Sequence, residues 1–198
     1  MKIQLLLVLA FLANICHGQT IFRNQNIGFT IEQPENWILA KEGLSNENLK
    51  NNIKLDEKLI AKLLADNKGS VQVVTFYKYP VETSVGVIPT VKIILRKNPF
   101  TTPESFKEGI GQSFLSMKKV FPDFAMVNEM TDIEVNKQKF IKATGAYTIK
   151  SKAGLEKVKF SVLASTIGDQ FYQITFMDTE KDDNSLLFEK LINTIIIE

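Results

Sequence analysis

Acidic and amide side chains alternate through Asp178-Thr179-Glu180-Lys181-Asp182-Asp183-Asn184. Glu189 then falls where an oxygen-ligated calcium loop places its bidentate carboxylate. Two features oppose that chemistry. Such a loop needs glycine at its sixth position, where Asp183 stands, and a helix before it, where this chain has a strand-like run. The segment is therefore expected to lead from a strand into a helix capped by Asp182 or Asp183, and not to bind metal.

Glu129, Asp132 and Glu134 offer carboxylates of the kind glycosidases pair. Asp132 and Glu134 share one face of an alternating strand, which is the pattern of a solvent side. Ser161 and Ser165, with Lys157 or Lys159, have the residue types of a serine–lysine nucleophile, yet they too alternate as a polar strand face does. Trp37, together with Phe29, Tyr77, Tyr79 and Phe100, has the makings of an aromatic ligand groove. A tryptophan after a proline turn also serves as a core plug. The binding expectation rests on Trp37, Tyr77, Tyr79 and Phe100, with no cofactor and no catalytic residue assigned.

The only cysteine and the only histidine, Cys16 and His17, sit at the end of an export signal. Met1-Lys2 gives it a short positive start, an apolar run reaches Ala13, and small residues at Cys16 and Gly18 suit a signal peptidase. Residues 1–18 are expected to be removed, leaving Gln19 first in a single domain over residues 19–198. Without thiol or imidazole, that domain has no disulfide, no Ser-His-Asp or Cys-His catalysis, and no zinc or copper site built on those ligands. A lipoprotein signal also ends on a cysteine, but normally with a small residue before it. Ile15 stands there, so lipidation at Cys16 ranks second. The apolar run is short of the roughly 20 residues that cross a bilayer, so no transmembrane anchor is expected.

The chain has 24 Lys+Arg against 22 Asp+Glu, and the signal removes only Lys2. A near-neutral protein lacks the cationic surplus that nucleic-acid binding requires. Secretion or a periplasmic location follows from the signal, with an unknown protein or small ligand of the cell envelope as partner.

The elements that must position these residues are legible from periodicity. Alternating runs at 27–33, 71–79, 90–97, 124–135, 140–150, 155–166 and 170–177 read as strands, the last four as a meander. Helical stripes at 55–65, 103–121 and 184–194 read as amphipathic helices. Thr102 and Pro103 open the second of these, and Gly109 and Gly111 within it suit a close approach to a sheet. Residues 45–58 read as a polar surface connection. Short hairpins beside amphipathic helices give an α+β fold with a largely antiparallel sheet flanked by helices.

The entry Ile27-Gly28-Phe29-Thr30-Ile31-Glu32-Gln33-Pro34-Glu35-Asn36-Trp37 resembles the glycine-aromatic strand, proline and tryptophan of PsbP-like domains. The ending Phe171-Tyr172-Gln173-Ile174-Thr175-Phe176, with a helix around Phe188 and Ile192, resembles their last strand and C-terminal helix. The long connection at 45–58 departs from the compact plant pattern. The resemblance implies an α/β/α sandwich. It also implies an accessory or binding role without catalysis, as in photosystem subunits, nuclear-transport binding factors and bacterial envelope proteins. The reading is an exported, non-catalytic binding or accessory module. Its alternative is a carboxylate-based hydrolase acting on an envelope or extracellular substrate.

N-terminal sequencing of the exported protein is expected to start at Gln19. A mature chain retaining Cys16, with or without lipid, would contradict the assignment.

Overall fold

Period-two alternation through residues 138–179 builds the centre of the molecule, and the remaining elements pack on the two faces it creates. The computed structural model describes residues 20–40 and 70–198. The expected export signal with Cys16 and the expected first mature residue Gln19, the connection expected at 45–58 and the helix expected at 55–65 lie outside the described residues. In chain order the elements are β1 (Ile21–Asn24), β2 (Phe29–Glu32), β3 (Ile38–Leu39), β4 (Ser70–Tyr77), β5 (Thr90–Lys97), α1 (Pro103–Met117), β6 (Ala125–Met126), β7 (Thr131–Val135), β8 (Gln138–Ser151), β9 (Gly154–Ile167), β10 (Gln170–Thr179), α2 (Ser185–Ile192) and β11 (Ile196–Ile197).

The main sheet runs β3-β4-β5-β10-β9-β8-β6, with β7 also paired to β8, and every described pairing in it is antiparallel. The meander is held by tight turns. Asn136 and Lys137 both take positive φ, 49° and 69°, as a two-residue hairpin between β7 and β8 demands. The Asn136 amide donates to the carbonyls of Asn193 and Ile195, tying that turn to the end of α2.

One face of the sheet carries Phe76, Val91, Ile93, Leu163, Tyr172, Ile174 and Phe176. They pack against β2 through Phe29 and Ile31, and against the C-terminal segment through Leu191, Ile192 and Ile195. Here β1, β2 and β11 form a small second sheet. Gly28, with φ of 63°, explains the glycine of the entry motif. A Cβ there would lie 2.6 Å from the Glu198 carbonyl oxygen, which the β2–β11 pairing brings close.

The opposite face carries Ile141, Ala143, Phe160, Val162, Ala164 and Phe171 and is covered by α1 through Phe106, Ile110 and Phe114. Thr102 caps α1 by accepting from the Ser105 amide at 3.1 Å, and Pro103 begins it, as the sequence indicates. The fold is therefore α+β with an antiparallel sheet between covering layers.

Four details differ from the sequence reading. The helix expected to reach Phe121 ends at Met117, because the chain turns there to stack Phe121 on Tyr147 with ring centroids 4.0 Å apart. The single strand expected over 124–135 is two, β6 and β7, both on β8; between them Met130 leaves the ladder to pack beside Gly111. Gly109 admits the Phe100 ring and not a strand, since a Cβ would sit 2.1 Å from Phe100 Cζ. The short pairings at β3 and β11 have no alternation long enough to be read from sequence.

Phe114 is 6% exposed, with ring centroids 5.5 Å from Phe160 and 6.2 Å from Phe124. Phe114→Ala is expected to cost about 3–5 kcal/mol in chemical denaturation, whereas Leu115→Ala on the exposed side of α1 should stay within about 0.5 kcal/mol. An unchanged midpoint for Phe114→Ala would show that this layer is not the core described.

Candidate functional site

On the β2 face, the small sheet and α2 cover β4, β5 and β10 but leave much of β8 and β9 open. Cross-strand register arranges the residues there: Thr144 opposes Ser161, which opposes Phe176, and Ala146 opposes Lys159, which opposes Asp178; Thr144, Phe176 and Asp178 are buried, Ser161 and Ala146 half-buried and Lys159 exposed. These residues, with Lys142 and Lys157, form the floor of a trough of about 580 Å³. Ser185, Phe188, Glu189 and Ile192, at helical spacing on α2, form one wall, and Val127 and Asn128 form the other rim. The volume lies within the roughly 300–1,000 Å³ of small-ligand sites.

The floor is polar and ordered. Thr144 and Ser161 share a hydrogen bond between their hydroxyls, 2.9 Å long. The rim is tied down by the Val127 amide donating to the Thr144 carbonyl at 2.9 Å. Lys157 pairs with Glu180 at 3.1 Å, on the surface. Lys142, Lys159, Asp183 and Glu189 make no ion pair among the described residues.

The acidic connection from β10 to α2 sets the wall. Asp178, 7% exposed, accepts from the Thr179 amide at 2.9 Å and the Asn184 side-chain amide at 2.8 Å, and also from the Asn184 backbone amide. Asp182 accepts from Lys78 Nζ at 2.8 Å, from the Tyr79 hydroxyl at 2.6 Å and from the Thr179 hydroxyl at 2.7 Å. Asp183 accepts from the Ser185 hydroxyl at 2.6 Å. That bond and the Ser185 amide, with Lys159 adding its charge, hold the Asp183 carboxyl below the usual carboxylate range.

The segment is thus a strand-to-helix connection. Its cap differs from expectation: Asn184, not Asp182 or Asp183, is the N-cap of α2, and its own side chain makes no capping bond. Buried Asp178 receives the Asn184 amide instead, because Asp182 is drawn away to Lys78 and Tyr79. Asp183 takes φ of 42°, so it does adopt the left-handed angle that a glycine would adopt more readily.

Structural comparison decides the fold. The solution structure of cyanobacterial PsbP (CyanoP) from Synechocystis sp. PCC 6803 superposes with a TM-score of 0.55 at 11% identity, covering 93% of this chain and 96% of that one. The crystal structure of LpqN, involved in cell envelope biogenesis of Mycobacterium tuberculosis, gives 0.50 at 12% identity over 92% and 87%. A crystal structure from Bacteroides thetaiotaomicron VPI-5482 gives 0.51 at 10% identity, covering 91% of this chain and 48% of that one. The chain has a PsbP-like fold. No family model matches the sequence, and no curated protein does.

Within this PsbP-like frame the aromatic candidates separate. Trp37 is 6% exposed and meets Phe188 edge-on at 6.0 Å, so it backs the trough wall from inside the core. Tyr77 is 4% exposed and packs with Val81 and Ile88. Tyr79 is the exposed member, at 42%, and reaches the site through Asp182. Phe100 lies beside α1 against Phe106 and Gly109, apart from the trough.

The carboxylates Glu129, Asp132 and Glu134 are all exposed, and Asp132 pairs with Lys107 at 2.7 Å. Ser161, Lys157 and Lys159 do line the trough, whereas Ser165 donates instead to the Lys139 carbonyl at 2.7 Å. Lys142, Thr144 and Phe188 do not stand out as site residues in the sequence. One signal points to them: a polar strand face in a sandwich whose faces should both be covered marks a gap in the cover.

Burial alone would push the Asp182 carboxyl up, but hydrogen bonds from Lys78, Tyr79 and Thr179, with the Lys78 charge, outweigh it and hold the group below its usual value. A depressed folded-state carboxyl stabilises the fold above its unfolded pKa, and that stability is lost as pH falls through the folded one. Asp182→Asn is therefore expected to cost about 1–2 kcal/mol at pH 7, with the difference from wild type shrinking below about pH 4. Thermal melts across pH check this; a pH-independent difference would remove the carboxylate's charge from the account.

Proposed function

We propose that this chain is an exported binding or accessory module that works without catalysis, and that the trough between α2 and the β8–β9 floor is where it binds. The observation that carries this reading is the uncovered half of the β2 face. A sheet face buried elsewhere under Phe29, Ile31 and α2 presents hydroxyls and lysines over a volume of about 580 Å³. The lining carboxylates support binding more than hydrolysis. Asp178 is occupied by Asn184 and Thr179, Glu180 is paired with Lys157, and Asp183 receives Ser185, which leaves Glu189 as the one lining carboxylate without a partner among the described residues, where glycoside hydrolysis uses two. Glu129, Asp132 and Glu134 stand outside the trough.

Of the aromatic residues proposed to serve binding, Trp37 acts by supporting Phe188, and Tyr79 by fixing Asp182 before α2. A location in the cell envelope accords with the export signal and with LpqN, a protein of the same fold involved in envelope biogenesis.

The test is two-dimensional NMR of the labelled chain titrated with a metabolite extract of the exporting cell. Shift changes should cluster at Lys142, Thr144, Ala146, Ser161 and Phe188, and no extract component should be consumed. Ala146→Trp should abolish them, and Asn128→Trp on the rim provides a second block should the first variant fold poorly. Shifts clustering elsewhere, or turnover of a component, would overturn the proposal.

A further inference from the structure

Large apolar side chains left in water gather at one end of the molecule. Leu155 is 77% exposed, Leu186 75% and Val85 64%, the three highest values for such residues among those described. They belong to three separate elements. Leu155 follows the β8–β9 turn, Leu186 lies in the first turn of α2, and Val85 lies in the loop joining β4 to β5. The register puts all three at the same end of the main sheet, where β4, β8 and β10 finish and β5 and β9 begin.

Short-range ties fix these elements to one another. Glu156, a buried carboxylate outside the trough, accepts the Val87 amide at 3.0 Å and also the Ser151 hydroxyl. Gly86 is pressed so close to the hairpin that a Cβ there would lie 2.9 Å from the Ala153 Cβ. The Glu180 amide donates to the Lys157 carbonyl at 3.2 Å, and Lys78 holds Asp182 at 2.8 Å, which joins the entry of α2 to both neighbours.

The form of this end selects its partner. A stable protein interface has a contiguous apolar centre with a polar rim. Here single apolar side chains project from a hairpin, a loop and a helix start, with Lys150, Lys152 and Lys181 exposed among them. None of these lysines makes an ion pair among the described residues. The exposed carboxylates at this end are Glu82, Glu180 and Asp183, and Glu180 is paired with Lys157. Separate apolar tips flanked by lysines suit a fluid surface, which each tip enters on its own while the ammonium groups meet phosphate headgroups.

We infer that this end docks on the surface of a phospholipid bilayer, with Leu155, Leu186 and Val85 in the boundary between headgroups and acyl chains and Lys150, Lys152 and Lys181 against lipid phosphates. Leu155 and Leu186 stand within two residues of Lys157 and Ser185 of the trough, yet the docking does not depend on a trough ligand.

Co-sedimentation of the exported chain with vesicles of phosphatidylglycerol and phosphatidylethanolamine tests it. The chain should partition onto them, and more weakly onto phosphatidylcholine alone. Leu155→Ser and Leu186→Ser should each reduce partition about tenfold, the weight of one leucine moved between water and an apolar phase. Val85→Ser should also reduce it, whereas Val71→Ser, 61% exposed at the opposite end of β4, should not. Lys150→Gln and Lys152→Gln should each weaken binding about fivefold on the anionic vesicles and leave phosphatidylcholine binding unchanged. All these positions are exposed, and an unchanged melting temperature confirms that each variant is folded.

No partition of the wild-type chain, or partition that survives both leucine substitutions, would overturn the inference. So would an equal loss in Val71→Ser and Val85→Ser. Leucine-dependent self-association without vesicle binding would overturn it too, and would assign this end to a second copy of the chain.

Discussion

The buried carboxylate of Asp178 is the interaction on which the site depends. It stands at the end of β10, where the chain must leave the sheet, and it accepts both the backbone amide and the side-chain amide of Asn184, the N-cap of α2. A carboxylate removed from water needs its acceptor sites filled, and a helix start needs its amides received. Each requirement answers the other. The helix is consequently held over β10 and the β2 layer, with Phe188 against Phe176 at 5.3 Å and Trp37 behind it. Held there, α2 does not lie across β8 and β9, and the trough is the space it leaves.

Around that anchor, neighbouring charges are arranged so that none competes for Asp178. Lys159 is its cross-strand neighbour, yet the Asp178 carboxylate is filled by amides, and Lys159 adds its charge to the field that lowers Asp183. Asp182 is taken by Lys78 and Tyr79, just past the end of β4, linking that end to the β10–α2 connection across β5. The acidic stretch that in sequence looks like one cluster is divided four ways: Asp178 receives Asn184, Glu180 pairs with Lys157, Asp182 with Lys78 and Tyr79, and Asp183 receives Ser185. Positive φ at Asp183 turns the chain just before the N-cap Asn184, after Asp178 has been fixed at the end of β10.

Much of the fold is legible in the sequence because it rests on local periodicity. Val158, Phe160 and Val162 alternate over a full-length strand, and Phe106, Ile110 and Phe114 recur at helical spacing, so the residue pattern alone places β9 and α1. The break between β6 and β7 is not legible, since it depends on Met130 finding Gly111 on a distant helix. The trough is legible only in part. Lys157, Lys159 and Ser161 show themselves as a polar strand face, but whether that face meets solvent or a covering layer is decided by where α2 lies. Aromatic residues suggest a groove by their type, whereas burial assigns Trp37 and Tyr77 to packing. Long-range register, which brings Lys142 of β8 into line with Leu163 of β9 and Ile174 of β10, has no counterpart in a single window of sequence.

Native-state hydrogen exchange of Asp178→Ala compared with wild type addresses the anchor itself. Losing the acceptor for Asn184 should speed exchange at the α2 amides of Phe188 to Ile192 by about tenfold or more, the equivalent of one charged hydrogen bond. The β10 amides of Phe171 to Phe176, held between β5 and β9, should keep more protection than α2 in the variant. Equal protection of α2 in the two proteins would show that packing alone positions the helix, and that the Asp178 carboxylate does not hold the trough open.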